Sequence, residues 1–361
     1  MSLLRTLLRP VWRLLRALFR PIWPVLRIPF HWTRLALGWA SFLWRGRTPG
    51  FAYQSLIWLF CLSGGRSNDR LSWIISRFAP PYRFPGARGV LGNLSAEDLA
   101  SITERLDRDG YYVFPARLPE EGCRRLTDYA LSQPGTILEG DSARSATPLR
   151  APYGLERGAP RGVRYELAMS DVIANPEVQA LLCDLSILAV AQSYLRARPI
   201  ADVLAIWWTT AFNAQPSAAA AQLFHFDMDR IKWLKFFIYL TDVGPQSGPH
   251  AFVAGSHRSG SVPQHLLERG YARLSDDDVR GCFPDAKLVE FEAPRGMILA
   301  EDTRGLHKGK LVSSGDRLML QLQFSNSLFG ATYPECRLRK AIEPPLRGVV
   351  DAYPRIFSAF L

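Results

Sequence analysis

The residues with the clearest chemical potential lie in the stretch LFHFDMDRIKW at positions 223–233. His225 and Asp227 are separated by one residue inside an apolar run, and Asp229 follows two positions later. Since alternate side chains of an extended strand share one face, His225 and Asp227 are expected to project side by side and to grip one metal ion. A His-x-Asp pattern is common by chance, so a metal site requires a further ligand elsewhere in the chain.

His307 is the candidate for that ligand, because it follows the predicted strand GMILAED at 296–302. Two imidazoles and one carboxylate form a facial set, which leaves three positions of an octahedral Fe(II) open for a co-substrate and O₂. Arg317 lies ten residues beyond His307, at the start of the next predicted strand. Its guanidinium is expected to hold the far carboxylate of a dicarboxylate through paired hydrogen bonds while the near end chelates iron.

Short β-branched or aromatic runs bounded by Gly, Pro, Ser or Asp predict the strands that position these residues. They cover residues 203–212, 234–243, 250–256, 287–293, 296–302 and 317–326. Upstream, the pattern predicts helices at 94–110 (Ser95 as N-cap), 118–133 and 177–195, a strand at 111–116 and a loop-rich region at 134–165. Helices followed by at least six strands favour a mainly β protein, with a β-sandwich or jelly-roll core and flanking helices.

Composition excludes several classes of protein. The chain has 361 residues and 48% hydrophobic content, which is ample for a packed core. Its net charge is +11, but residues 1–50 carry nine arginines and no other charge, so residues 51–361 carry only about +2. This balance argues against a nucleic-acid-binding surface. The five cysteines form no CxxC pair, which argues against a zinc knuckle or disulfide scaffold and favours a reducing, cytoplasmic location.

Residues 1–78 form a basic segment rich in arginine and tryptophan. Five arginines recur at helical spacing on one face: Arg5, Arg9, Arg13, Arg16 and Arg20. Trp and Arg without acids suit a membrane interface, so residues 1–63 are expected to bind a membrane surface peripherally. The apolar runs at 35–44 and 51–63 are shorter than the roughly 20 residues that a spanning helix needs. An organelle-targeting peptide, or packing of residues 51–78 on the catalytic domain, are the alternatives.

Several ordered motifs match one known family. They are HFD at 225–227, FIYLTDVGPQSGPHAFVAGSH at 237–257, GLH at 305–307, GDR at 315–317 and the opening DRDGYYVFPARLPEEGCRRL at 107–126. With these, roughly residues 90–345 resemble the phytanoyl-CoA dioxygenase family of Fe(II)- and 2-oxoglutarate-dependent oxygenases. The resemblance implies a double-stranded β-helix fold of the cupin-like jelly-roll type. It also implies the catalytic iron ligands His225, Asp227 and His307, with Arg317 as the salt-bridge partner of 2-oxoglutarate.

The chain departs from the family pattern at one position. Family members often carry Ser or Thr two residues after the distal histidine, where this chain has Gly309. Lys235 is therefore a candidate for helping to bind the co-substrate, and an edge-strand or snorkelling lysine is the alternative. Asp227 is present where related halogenases have lost the carboxylate, which favours hydroxylation. Asp229 is expected to be solvated or to support the site, and His257 to be structural or to support the site without binding metal.

The resemblance implies an enzyme that consumes 2-oxoglutarate and O₂ at Fe(II), with ascorbate as a supporting reductant, and hydroxylates an unactivated C–H bond of a small molecule. The N-terminal segment favours a lipid or membrane-linked substrate. A membrane-associated scaffold or binding protein with an oxygenase-like domain is the alternative. The expected organisation is a membrane-interacting segment (1–78), a linker (79–93), the oxygenase domain (94–345) and a C-terminal tail (346–361).

Overall fold

A computed structural model describes residues 23–138, 152–338 and 342–361, so the arginine repeat of residues 5–20 lies outside the described residues. The helices are α1 (Trp23–Arg45), α2 (Gly50–Ser63), α3 (Arg66–Phe78), α4 (Ala96–Asp109), α5 (Glu120–Ser132), α6 (Met169–Ala174), α7 (Pro176–Leu182), α8 (Leu185–Leu195), α9 (Gln264–Leu267), α10 (Asp276–Arg280) and α11 (Pro344–Ala352). The strands are β1 (Arg88–Gly89), β2 (Gly92–Asn93), β3 (Tyr111–Arg117), β4 (Gly135–Leu138), β5 (Pro152–Tyr153), β6 (Arg164–Glu166), β7 (Ile200–Thr210), β8 (Trp233–Tyr239), β9 (His250–Val253), β10 (Leu288–Phe291), β11 (Met297–Glu301), β12 (His307–Gly309) and β13 (Asp316–Ser325).

Two antiparallel sheets form the centre of the molecule. The larger has the strand order β3-β11-β8-β13-β7-β6-β4-β5, and the smaller has the order β10-β9-β12. Side chains of β7 alternate between two cores: Leu204, Ile206 and Trp208 join the cluster that includes α7 and α8, whereas Trp207 joins a cluster with Phe252 of the smaller sheet. The predicted fold class is confirmed: the protein is mainly β, with a jelly-roll core and flanking helices.

Local capping chemistry explains where several helices begin. Ser95 caps α4 as predicted, and its side chain and that of Asp98 form a reciprocal capping box. The helix expected over 177–195 is instead two helices, because the Asp184 carboxylate accepts hydrogen bonds from the Ser186 and Ile187 amides and starts α8 there. The loop-rich region at 134–165 also contributes three short strands, β4, β5 and the start of β6, to the larger sheet.

The N-terminal helices pack against the segment that carries the His-x-Asp motif. Leu56 and Phe60 of α2 share one hydrophobic cluster with Phe224, Phe226 and Met228. The N-terminal helices and the domain that follows the predicted linker at 79–93 therefore share one hydrophobic core. This agrees with the alternative in which residues 51–78 pack on that domain. Among the described residues, no single helix has the length and apolar character of a membrane span; α7 and α8, bent by 47°, meet those criteria only as a pair.

The C-terminal residues also belong to the core. The predicted tail at 346–361 contains most of α11 and a 3₁₀ turn, Pro354–Phe357. Five of its apolar side chains are buried in the cluster beside the larger sheet: Leu346, Val350, Ile356, Phe357 and Phe360. This segment is thus a structural part of the folded domain, because its apolar side chains complete the helical layer.

Candidate active site

Backbone hydrogen bonds bring the two parts of the predicted metal site together. The His225 amide donates to the His307 carbonyl at 3.0 Å, and the His307 amide donates back at 2.9 Å. The Asp227 amide donates to the Thr303 carbonyl at 2.7 Å. The side chains of this extended segment alternate, so that Phe224 packs toward the N-terminal helices while His225 and Asp227 line a cavity.

The three predicted ligands converge at one point in that cavity. His225 Nε2 lies 3.6 Å from Asp227 Oδ1, and His307 Nε2 lies 3.5 Å from Asp227 Oδ2. One ligand atom from each residue falls within 4.8 Å of the others. Among the described residues, no other group of three or more His, Cys, Asp or Glu side chains meets this criterion. Two imidazoles and one carboxylate fit Fe(II) with open coordination positions.

The environment prepares both imidazoles for metal binding. His225 Nδ1 donates to the Leu223 carbonyl at 3.0 Å, and His307 Nδ1 donates to the Gly305 carbonyl at 3.0 Å. These bonds fix the tautomer that leaves each Nε2 lone pair free. Burial lowers the pKa of His307 to about 4 and holds the pKa of His225 well below its ordinary value. Both rings are therefore neutral near pH 7, as metal ligation requires.

Lys235 holds the carboxylate of the triad in place. It lies on β8, between β11 and β13, so the edge-strand alternative is wrong. Its Nζ donates to Asp227 Oδ2 at 2.6 Å and lies 3.0 Å from Asp229 Oδ2. Burial alone would raise the pKa of Asp227, but Lys235 together with His307 and His225 lowers it below its ordinary value. The expected contact of Lys235 with the co-substrate stays a prediction.

Arg317 presents an uncompensated positive charge to the same cavity. Its side chain is only 3% exposed, and among the described residues no carboxylate forms an ion pair with it. Nη1 donates to the Gly248 carbonyl, Nη2 lies 3.5 Å from Thr209 Oγ1, and Nε has no hydrogen-bond partner. A Cβ at Gly309 would lie 3.0 Å from Nη2, so the glycine leaves room for the guanidinium. A buried, unpaired guanidinium fits a carboxylate ligand.

The sequence predicts no metal-binding role for Glu301 or His250, and the structure places the two side chains together. His250 lines the cavity, and its Nε2 lies 2.9 Å from Glu301 Oε2. Burial raises the pKa of Glu301 well above its ordinary value and lowers the pKa of His250 to about 3. Both shifts favour the neutral form of each group. The sequence signal for this pair was the position of Glu301 at the end of the apolar run GMILAED, where an acidic side chain is expected to be buried and to need a polar partner.

The cavity has a volume of about 780 Å³. Besides the triad, Lys235 and Arg317, its walls include two arginines that sequence reasoning missed, Arg164 and Arg273. Each has one buried guanidinium nitrogen without a hydrogen-bond partner among the described residues. Met319 and Phe237 also line the cavity and supply apolar wall. The site can thus accept an amphiphilic molecule next to the metal ligands.

Two tryptophans of β7, and the predicted residues His257 and Asp229, lie in or near the site. Trp207 lines the cavity, whereas Trp208 is buried in the core on the opposite side of the sheet. His257 is buried but lies outside the metal-binding group, beside a different cavity. Asp229 is mostly buried and forms an ion pair with Lys235. It is therefore a supporting residue of the site and not a solvated carboxylate.

No family model matches the sequence, and no curated protein matches it. Solved structures that are similar to the chain include the following three. SnoK, a non-heme alpha-ketoglutarate-dependent carbocyclase from nogalamycin biosynthesis, shares 18% identity over 66% of this chain and 87% of its own, with a TM-score of 0.43. HygX from Streptomyces hygroscopicus, solved with nickel and 2-oxoglutarate, shares 19% over 69% and 95%, with a TM-score of 0.45. EctD from S. alaskensis shares 17% over 74% and 90%, with a TM-score of 0.45. At these identities, the activity of this chain has to be judged from its own side chains.

Proposed function

We propose that this protein is a 2-oxoglutarate-dependent non-haem iron oxygenase that hydroxylates an unactivated C–H bond. The observation that carries the proposal is the convergence of His225, Asp227 and His307 within 4.8 Å, in a cavity that also contains the unpaired guanidinium of Arg317. The triad would hold the iron, and Arg317 would hold the distal carboxylate of 2-oxoglutarate. Iron with 2-oxoglutarate and O₂ supplies the oxidising power that amino-acid side chains lack.

The protein's own residues have three tasks in this function. The two carbonyl-bound imidazoles present neutral Nε2 atoms, so no proton has to leave before the metal binds. Lys235 occupies Asp227 Oδ2, which keeps the carboxylate ionised and oriented. The buried setting of Arg317 strengthens its attraction for a carboxylate, since water competes poorly there.

The first test is conversion of 2-oxoglutarate to succinate by the full chain with Fe(II), O₂ and ascorbate. The parent protein is expected to show slow turnover even without substrate, and His225→Ala and Arg317→Ala should abolish it. His265→Ala and Arg295→Ala are matched controls at exposed positions away from the cavity and should retain it. A parent protein that binds neither iron nor 2-oxoglutarate would contradict the proposal. Binding of both without succinate, with or without lipid extracts, would favour the non-catalytic binding protein.

We infer that the substrate is a lipid or another amphiphile. The support is the wall of the cavity, which contains the apolar side chains of Phe237 and Met319 as well as the cations Arg164 and Arg273. Mass spectrometry should compare total lipids of cells that express the active protein and cells that express His225→Ala at equal levels. A species heavier by one oxygen atom is expected only with the active protein. Identical lipid profiles under conditions that give succinate in vitro would exclude lipids as substrates.

A further inference from the structure

Exposed large apolar side chains are concentrated on the three N-terminal helices. Of fifteen such side chains in the described residues, ten lie within residues 23–78: Ile28, Phe30, Leu37, Leu43, Trp44, Phe51, Leu62, Trp73, Ile74 and Phe78. The same helices bury other apolar residues against the rest of the protein. They therefore have apolar side chains both on the face that packs on the protein and on the face exposed to solvent. A concentration of this kind on a folded surface marks an interaction site.

Three of these ten residues, Leu43, Ile74 and Phe78, line one groove. Trp39, Phe42 and Leu43 of α1 and Leu71, Ile74 and Phe78 of α3 line a largely apolar cavity of about 750 Å³, which is called the apolar groove below. Leu43 is 71% exposed and Phe78 is 85% exposed, so both stand at its rim in contact with solvent. Because both helices line the same cavity, their exposed side chains form one continuous surface.

The charge around the apolar groove has a single dominant sign. Residues 23–78 contain seven arginines, no lysine and one acidic residue, Asp69. That carboxylate pairs with Arg304 of the oxygenase domain, 3.0 Å away. Arg45 and Arg77 occupy the last turns of α1 and α3, next to the rim residues Leu43 and Phe78. The partner of this surface is therefore expected to be anionic as well as apolar.

A second cavity, of about 420 Å³, lies beside α3 and is more polar. Its lining contains four cations and two carboxylates: Arg196, Lys232, Arg258, Arg304, Asp69 and Asp107. Lys232 has no carboxylate partner among the described residues, and its Nζ donates to the Tyr194 carbonyl at 3.1 Å. Trp73 of α3 lines this cavity too, while the neighbouring Ile74 lines the apolar groove. An excess of positive charge thus lies directly beside the apolar surface.

We propose that α1 and α3 dock the protein on a bilayer that contains anionic phospholipid, with an acyl chain entering the apolar groove and lipid phosphates facing the flanking arginines. Exposed Trp, Phe and Leu beside arginine are suited to the boundary between acyl chains and headgroups. An anionic bilayer attracts each arginine of this almost acid-free helical layer. This surface and its function are independent of the proposed iron chemistry.

The test is co-sedimentation of the full chain with vesicles of phosphatidylcholine, with and without phosphatidylglycerol. Binding to the anionic vesicles is expected to be stronger and to weaken as salt is added. The double variant Leu43→Ser/Phe78→Ser should bind at least about tenfold more weakly, since two large apolar side chains are no longer transferred from water into the bilayer. Phe212→Ser, at an exposed position of the oxygenase domain, should bind like the parent protein.

Residues 1–22 are basic as well, so a local readout identifies the docking surface itself. A polarity-sensitive dye is attached at Phe78→Cys or at Phe212→Cys, in a background where the partly exposed Cys183 and Cys282 are serine. Anionic vesicles should shift the emission to shorter wavelength only for the dye at position 78. Vesicle-bound protein without that shift, or a parent chain that ignores anionic vesicles, would overturn the proposal. A lipid-free dimer that Leu43→Ser/Phe78→Ser converts to a monomer would also overturn it, because a second chain would then be the occupant.

Discussion

Lys235 compensates the negative charges of two carboxylates that are too buried for water to solvate. Asp227 and Asp229 both lie within 3.0 Å of its Nζ, and all three side chains are mostly buried. An ionised group in such surroundings is strongly destabilising unless a partner of opposite charge stays with it. Lys235 therefore serves the fold and the metal site together, since it keeps Asp227 charged in the absence of metal.

Replacing Lys235 with methionine should destabilise the metal-free protein by about 3–5 kcal/mol, because one or both carboxylates lose their buried partner. Urea unfolding of the parent protein and the variant measures the difference. The matched control is Lys310→Met, which removes an ion pair with Glu290 at the surface and should cost less than about 1 kcal/mol. Equal effects of the two substitutions would mean that the buried charges are compensated in another way.

Gly309 allows the guanidinium of Arg317 to approach the backbone of β12. In Gly309→Ala, the new Cβ would lie 3.0 Å from Nη2, while Nη1 is held by the Gly248 carbonyl and cannot easily move away. The expected result is about tenfold weaker binding of 2-oxoglutarate, equivalent to ~1.4 kcal/mol for a displaced charge-assisted hydrogen bond. The measurement is the KM for 2-oxoglutarate in succinate formation. Gly244→Ala, where a Cβ meets nothing within 4 Å, should leave that KM unchanged.

At the level of elements, the stability of α4 depends on its N-cap residue, Ser95. The hydroxyl of Ser95 accepts a hydrogen bond from the Asp98 amide at 3.1 Å, and the Asp98 carboxylate accepts one from the Ser95 amide at 2.8 Å. Ser95→Ala should therefore lower the free energy of unfolding by about 1 kcal/mol. Ser101→Ala, on the exposed face of the same helix, should be neutral or slightly stabilising because alanine is the better helix former. Urea unfolding compares the two, and equal values would argue against a capping role.

Alternation and turn residues carried most of the element predictions. Six strands from β7 to β13 were predicted close to their observed bounds, and the alternation at His225 and Asp227 placed both side chains in one cavity. Six short strands were not predicted, because runs of two to four residues are too short for a periodic pattern: β1, β2, β4, β5, β6 and β12. The partner of Lys235 could not be predicted, since it depends on the packing of β8 beside a segment outside the sheet.

At the scale of the whole molecule, the N-terminal helices are the least predictable part. An apolar helix that packs against protein and one that lies against lipid have the same composition, so sequence alone left both possibilities open. The cluster around Leu56 and Phe60 places one face of α2 against the segment that carries His225 and Asp227. The exposed Leu43 and Phe78 give the same layer an apolar outer surface. The layer of N-terminal helices thus has one apolar face that packs on the protein and one apolar face that is exposed to solvent.

Deletion of residues 1–79 is predicted to prevent stable folding. It would expose Phe224, Phe226 and Met228, and each buried side chain of this size contributes about 1.5–3 kcal/mol, against a total stability of about 5–15 kcal/mol. Soluble yield and thermal melting should show aggregation or a large loss of melting temperature. Deletion of residues 1–22 alone leaves α2 and α3 in place and should preserve a cooperative melt. A stable protein that begins at residue 80 would contradict the shared core.

The reciprocal backbone hydrogen bonds between His225 and His307 join segments that are far apart in the chain. Unfolding separates them, so a metal ion that needs both imidazoles binds the folded state alone. By mass action, each tenfold rise in free metal above its dissociation constant adds about 1.4 kcal/mol to the unfolding free energy. The melting temperature thereby becomes a titration of metal affinity that requires no substrate, and Mn²⁺, Fe²⁺, Co²⁺ and Ni²⁺ can be ranked by it in a single heating series.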